Sequence, residues 1–353
     1  MMRIAALPRS QWSRYARLTQ SVPGLLPCQG LAWFEMLGSV VGGEQGILAA
    51  YEGEELVAAL PYAISGDGGL GRVLNSLPFF GSHGGVAALP GFFGVTAPLL
   101  LAELDRLAQA EHCVSATVVL SPFTPELELC RRAFVPDMED GRIGQLTPLP
   151  DRPERLFDIF SPCKRNNVRR ALAQGVHAVE SNSQEGLDWV HAMHSKRMDN
   201  IGGLAKPQAF FDWAAKCLNT GELRLLLALE GGSPCAGLLL SELNDVTEYL
   251  LPATDWDKRQ FKGIQLLVHQ AMHDAVLRSK KWFNFGGTWG TQNNLYEFKK
   301  RFGAVDMPYT YLIRLYDKSL LQQTKEVLSA AFPFYFALPF DQLNTSEKAE
   351  GNA

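Results

Sequence analysis

The stretch Lys281-Trp-Phe-Asn-Phe-Gly-Gly-Thr-Trp-Gly-Thr-Gln-Asn-Asn-Leu-Tyr-Glu-Phe-Lys-Lys-Arg-Phe-Gly-Ala304 decides how the rest of the chain is read. Trp282 to Phe285 has the aromatic, apolar composition of a half-buried strand. Gly286-Gly287 breaks it, and from there to Gly290 a backbone with few Cβ atoms can take positive φ and come close to a ligand. The polar run Thr291 to Asn294 supplies an N-cap, after which Leu295, Phe298 and Phe302 recur at helical spacing until Gly303 ends the helix. Strand, glycine turn and basic helix thus follow one another directly. Such a unit forms one wall of a binding site, or it is a core strand joined to a surface helix; spacing alone leaves both open.

Composition bounds the rest. At 353 residues, 46% hydrophobic and 20% charged, the chain has an ordinary soluble, globular composition and the length of two domains of about 150 to 200 residues. A net charge of −4 argues against a dedicated nucleic-acid binder, DNA included. Cys28, Cys113, Cys130, Cys163, Cys217 and Cys235 lie far apart, so neither a disulfide framework nor a zinc site is expected, and a reducing cytoplasm fits. His191 and His194 are one helical turn apart without a third ligand nearby, so no metal is expected there. Met1 to Ser10 has no apolar run long enough for a secretory signal. No charged residue appears between Arg72 and Glu103, yet prolines and glycines interrupt that run before it reaches the ~20 apolar residues of a spanning helix. The aromatic tail Ala331 to Phe340 either docks on a domain or touches a lipid surface.

In order, Arg3 to Leu7 reads as a strand, Gln11 to Leu18 and Leu31 to Leu37 as helices, and Gly46 to Tyr51 and Leu56 to Ile64 as strands joined by the turn Glu52-Gly53-Glu54-Glu55. Val73 to Leu77 follows as a strand, Pro98 to Glu111 as a helix and Ala116 to Leu120 as a strand. The order is βααβββαβ. A second pass opens near Asp151 with helices Pro153 to Phe160 and Pro162 to Ala173, the latter with proline at its first position. Strand Val176 to Glu180, helices Ser183 to Met198 and Pro207 to Leu218, and strands Leu223 to Glu230, Cys235 to Leu243 and Val246 to Leu251 come next. A long helix, Gly263 to Ser279, leads into the opening stretch, and strand Tyr309 to Leu315 closes the pass. The order βααβββαβ recurs, followed by αβ. The expectation is an α+β chain of two similar domains, 1–150 and 151–330, each a mixed, mainly antiparallel sheet flanked by helices, with 331–353 as a tail.

This order, occurring twice, resembles the FemAB family, whose members resemble two GNAT acyltransferase domains in tandem and attach amino acids from aminoacyl-tRNA to a peptidoglycan precursor. The likeness is carried by the basic helix Lys164-Arg-Asn-Asn-Val-Arg-Arg-Ala-Leu-Ala-Gln-Gly-Val176, by His194-Ser-Lys-Arg197, and by Asn284-Phe-Gly-Gly with Glu297-Phe-Lys-Lys-Arg-Phe-Gly303. The resemblance implies that Lys299 stabilises the oxyanion of an acyl transfer, that Phe298 packs beside the donor across Gly286 and Gly287, and that Arg197 binds a phosphate of the acceptor. The cations Lys299 to Arg301 also suit the dipole at a helix C-terminus, which would account for them without catalysis. Lys164, Arg165, Arg169 and Arg170 crowd the first turns of their helix, where the dipole disfavours them. A phosphate-rich acceptor, or an acidic surface, would offset that. Gln260-Phe-Lys-Gly263-Ile-Gln265 opens the long helix where GNAT enzymes cradle a pyrophosphate, although Gln265 puts a side chain where close approach wants almost none. Tyr249 and Asp255 could position an amine. Trp33 is carried over as an acceptor contact, but the family's lysine after it is missing, since Phe34-Glu35-Met36 stands there.

The function implied is a cytoplasmic FemAB-like N-acyltransferase without a tightly bound cofactor, working at or near the inner face of the membrane. It would move an aminoacyl group from charged tRNA, or an acyl group, onto an amine of a phosphorylated cell-envelope precursor. Two alternatives remain: an acyl-CoA-dependent enzyme acting on a nucleotide-linked amino sugar, and a non-catalytic relative that binds a phosphorylated glycan or a protein.

Overall fold

In the computed structural model, which describes residues 2–77, 83–288 and 292–339, the apolar runs become strands. In chain order these are β1 (Met2–Ala6), β2 (Glu44–Glu52), β3 (Glu55–Ile64), β4 (Arg72–Asn75), β5 (Ala87–Ala88), β6 (Cys113–Val119), β7 (Met138–Pro148), β8 (His177–Glu180), β9 (Leu223–Glu230), β10 (Ser233–Leu243), β11 (Val246–Thr254), β12 (Trp282–Thr288) and β13 (Val305–Leu315). Residues up to 142 and from 308 onward make one unit, and 143–307 the other.

The first unit orders its strands β1-β2-β3-β4-β6-β13, with β5 on the side of β3. β1 to β4 are antiparallel neighbours, β4 and β6 are parallel, and β13 runs antiparallel to β6, from Tyr311↔Val119 to Leu315↔Ser115. Helix Phe93–Ala110 packs Leu100, Leu101 and Leu104 against the sheet. It starts before the expected Pro98, which it tolerates internally. The described part of the aromatic tail docks, with Phe332, Tyr335, Phe336 and Leu338 buried among Val73, Val119 and Tyr311, while Phe340 lies outside the described residues. Asn75 fastens it, its Oδ1 accepting from Phe336 N at 2.8 Å and its Nδ2 donating to Phe336 O at 2.9 Å.

The second unit repeats the plan as β8-β9-β10-β11-β12-β7. β8 to β11 are antiparallel neighbours, β11 and β12 are parallel, and β7 is antiparallel to β12. Helix Gly263–Leu277 buries Leu266, Leu267, Ala271 and Met272 on this sheet, and Phe283, Phe285 and Phe302 complete the core.

Two expectations are corrected here. The closing strand of the second pass does not lie beside β12, because β13 pairs with β6 of the first unit. Its place beside β12 is taken by β7, a strand the sequence did not announce. The units therefore change over at 142/143 and 307/308 rather than at 150/151 and 330/331. No helix among the described residues is long and apolar enough to cross a membrane.

Candidate functional site

β11 and β12 are paired at only three positions, Val246↔Trp282, Thr247↔Phe283 and Glu248↔Asn284. Both strands continue, to Thr254 and Thr288, so they part beyond Glu248. Each is bent away by an extra residue. In β11, Leu239 faces Leu251 while Leu240 faces Tyr249, leaving Leu250 as a bulge. In β12 the register against β7 shifts between Asn284 and Gly287, where Gly286 takes φ +73, a conformation that glycine adopts without steric penalty. The split is thus built into both strands.

A groove of about 1320 Å³ lies at this split, with Arg197, Tyr249, Gln260, Lys262, Gly263 and Phe298 among its lining residues. Helix Gly263–Leu277 presents its N-terminus to it. Gly263 lets that end close on the sheet: a Cβ there would meet Cys235 Sγ at 2.7 Å and Ala236 Cβ at 3.0 Å. Arg197, Arg259 and Lys262 outnumber Asp257 around the groove, so it favours anions. The Arg197 guanidinium lies 4.8 Å from the ring centroid of Trp256, an indole that is 46% exposed at the rim. Tyr249 packs on Phe285 with ring centroids 5.4 Å apart. Burial pushes its phenol far up, so it keeps its proton.

Glu248 and Tyr249 are adjacent on a strand and face opposite sides of it. Glu248 is 7% exposed, and its Oε2 accepts from Asn284 Nδ2 at 3.2 Å. Burial raises the carboxyl to about 7, opposed by that hydrogen bond and by the Lys299 charge. Lys299, on helix Asn293–Lys300, is 3% exposed. Its ammonium donates to Gly286 O at 3.1 Å, to Gly287 O at 2.8 Å and to Thr288 Oγ1 at 2.8 Å. Thr288 Oγ1 in turn donates to Gln145 Oε1 at 2.7 Å, and Gln145 Nε2 donates to Tyr296 O at 3.2 Å. Asn284 Oδ1 accepts from Gly286 N at 2.8 Å. Burial pulls the lysine down to about 7, with Glu248 working the other way. All three N–H bonds of the ammonium are engaged by protein oxygens. Its geometric effect is to tie the glycine turn to the helix.

The structure brings Tyr249, Gln260, Gly263, Phe298 and Arg197 to one groove, with Gln265 beside them, and puts Gly286, Gly287 and Lys299 in one hydrogen-bonded cluster. It does not bring Arg165 and Arg169 to the groove lining. Arg165 Nη1 donates to Phe157 O at 3.0 Å, and Arg169 lies over the Phe157 ring at 5.3 Å. Trp33 belongs to the first unit and is 3% exposed, buried on helix Leu31–Val40. Trp289, Gly290 and Thr291 lie outside the described residues. Glu248, Asn284, Thr288 and Gln145 were missed by sequence reasoning, although a lone carboxylate in Val246-Thr-Glu-Tyr-Leu-Leu251 and a lone amide in Trp282-Phe-Asn-Phe285 are both out of place in buried strands. No group of three or more metal-ligating side chains converges among the described residues.

Residues 226–307, which hold β11, β12 and the Lys299 helix, match the model of the FemAB family. Among solved structures the chain is similar to FemX, with a TM-score of 0.71 and 14% identity over 91% of this chain and 99% of that one. It is also similar to the C-terminal domain of a putative lysylphosphatidylglycerol synthetase from Agrobacterium fabrum (TM-score 0.58, 12% identity, 92% and 98% covered). A third likeness is to a tandem GNAT protein from the clavulanic acid biosynthesis pathway (TM-score 0.51, 12% identity, 89% and 98% covered). A search of curated proteins gave no match. The fold is that of the tandem GNAT acyltransferases. Within the second unit, residues 226–307 resemble the FemAB family, and the chain shares its fold with FemX.

Proposed function

We propose that this protein is an N-acyltransferase that moves an aminoacyl or acyl group onto an amine of a phosphorylated cell-envelope precursor, a peptidoglycan or polysaccharide intermediate. The observation that carries the reading is the cationic groove at the split between β11 and β12, with Tyr249 on one face of β11 and Glu248 on the other. A donor held in the groove presents its carbonyl at the split. The acceptor amine attacks that carbon, a C–N bond forms and the C–O bond of an ester, or the C–S bond of a thioester, breaks. Glu248, with its carboxyl near 7, takes the proton the amine loses, and the protonated Tyr249 phenol gives one to the leaving group. Lys299 supports the reaction by holding the carbonyls of Gly286 and Gly287. A substrate oxygen reaches its ammonium only by displacing one of them. The reaction belongs in the cytoplasm, where both kinds of donor are made, with the acceptor at the inner face of the membrane.

A second donor is favoured by one feature. Gln260 and Gly263 stand at the groove end of helix Gly263–Leu277, where a pyrophosphate fits, so acyl-CoA competes with charged tRNA. The test is to incubate purified protein with an aminoacyl-tRNA pool or an acyl-CoA pool and with nucleotide-linked amino sugars and muramyl peptides, reading acylated products by mass spectrometry. Product from charged tRNA supports the first donor, and product from acyl-CoA alone supports the second. No product from either, with phosphate ligands still bound, refutes the enzyme reading and leaves a binding protein.

A further inference from the structure

Lys164 sits in the first turn of helix Pro162–Ala173, its backbone N–H capped by Ser161 Oγ at 3.4 Å. It shares a stripe with Val168 and Ala171, one and two turns on, and all three are buried. The lysine is only 6% exposed. Its ammonium lies 3.9 Å from the centroid of the Phe298 ring and 4.8 Å from that of Phe302. Among the described residues its Nζ has no hydrogen-bond acceptor and no carboxylate partner. Burial, chiefly, lowers it to about 8; the Cys163 thiol opposes this, and Arg301 and Lys262, both positive, add to it. At neutral pH it is still mostly an ammonium, with three N–H donors unspent.

Such an arrangement does not stabilise a fold by itself. Aromatic faces attract a cation, but they do not replace the oxygens an ammonium leaves behind in water, and the two nearby cations repel it. Lys299 has its donors satisfied by three protein oxygens, whereas Lys164 has none among the described residues. Lys164 is not itself among the lining residues, but the Phe298 ring that its ammonium faces walls the groove, and Lys262 lines it. An anion brought by a ligand would supply what the chain does not.

We infer that Lys164 is a ligand-binding residue of this site, its ammonium meeting a phosphate group of the bound donor beside Phe298, with Lys262 and Arg301 as flanking cations. The inference rests on reading the groove as the donor site. Phosphate is common to the two donor classes, so two probes separate them: coenzyme A and a short RNA hairpin ending in CCA. Titration calorimetry of the full chain with each probe compares wild type with Lys164→Met. Removing one charge-assisted contact is expected to weaken whichever probe binds by about tenfold or more. The same substitution is expected to leave the melting temperature unchanged or higher, since it deletes a buried cation without a partner. A merely structural lysine would give the opposite pair, unaltered affinity and a lower melting temperature, and that result overturns the assignment. So does a wild type that binds neither probe. Lys164→Gln, which keeps a polar end without charge, is read in the same way should the methionine variant fold poorly. A protein that binds a probe through Lys164 but transfers nothing would sink the acyl-transfer reading and leave this contact standing.

Discussion

Following unfolding stability across pH in wild type and in Lys299→Met tests how far the Lys299 ammonium has been taken out of water. A lysine that titrates at 10.5 when exposed is held at about 7 here, mainly by burial. Between those values the unfolded chain binds a proton that the folded chain does not. Its contribution to stability is therefore complete above 10.5 and is lost as pH falls through 7. The interval, 10.5 − 7 = 3.5, corresponds to a ceiling of about 5 kcal/mol at ~1.4 kcal/mol for each pH step. The contacts to Gly286 O, Gly287 O and Thr288 Oγ1 favour the ammonium. Each of these bonds opposes the shift by up to about 1.5–3 kcal/mol, so the rise between pH 7 and 10.5 falls well short of that ceiling. Glu248 acts in the opposite sense, since burial lifts its carboxyl from 4.5 to about 7. Its stabilisation is complete below 4.5 and is lost as pH rises through 7, and the methionine variant retains that lower limb. Urea unfolding followed by circular dichroism at half-unit pH intervals gives both curves. If wild type minus variant stays flat from pH 7 to 10, the ammonium is not desolvated as its surroundings imply, and the argument fails.

Other substitutions probe the groove. Gly263→Ala would set a methyl 2.7 Å from Cys235 Sγ, lifting the helix from the sheet. The expected loss is about 1–3 kcal/mol, read as a lower melting temperature, and an unshifted melt would mean that the helix end yields. Tyr249→Phe keeps the packing on Phe285 and removes the proton donor, so turnover should fall by about a hundredfold with the melting temperature held; an unchanged kcat excludes that role. Arg197→Glu reverses a groove charge over Trp256 and should raise the Michaelis constant of the phosphorylated substrate about tenfold or more with little change in kcat. An unaltered constant removes Arg197 from the binding surface.

The second unit was legible because its elements obey simple periods. Leu223–Glu230 and Ser233–Leu243 are apolar enough to be strands in any context, and Gly263 followed by Leu266, Leu267 and Met272 announces a buried helix. That put Tyr249, Gln260, Gly263 and Phe298 near one another in expectation, and the groove gathers them. β7 was hidden because Asp140, Arg142 and Gln145 interrupt Met138–Pro148: the first two pair with each other, and Gln145 meets Thr288 and Tyr296, far away in sequence. The partner of β13 could not be read either: Tyr309 to Leu315 is apolar enough for a neighbour in either unit, and only tertiary pairing decides. The register Glu248↔Asn284, which sets a carboxylate and an amide together, is likewise a property of two strands and not of either segment. Lys164 is a different case. Its spacing to Val168 and Ala171 marks an inward stripe, so that signal was present but was outweighed by the run of cations around it.

The pairing of β13 with β6 also has a consequence during synthesis. Tyr311 to Leu315 are needed to finish a sheet whose neighbouring strand ends at Val119, so the first unit cannot close while the ribosome is still making the second. At about 5–20 residues per second this delay is on the order of ten to forty seconds, during which the free edge of β6 needs shielding from other nascent chains. Factors that speed elongation late in the message, or chaperones that cover β6, should therefore govern yield more than the stability of the finished protein does.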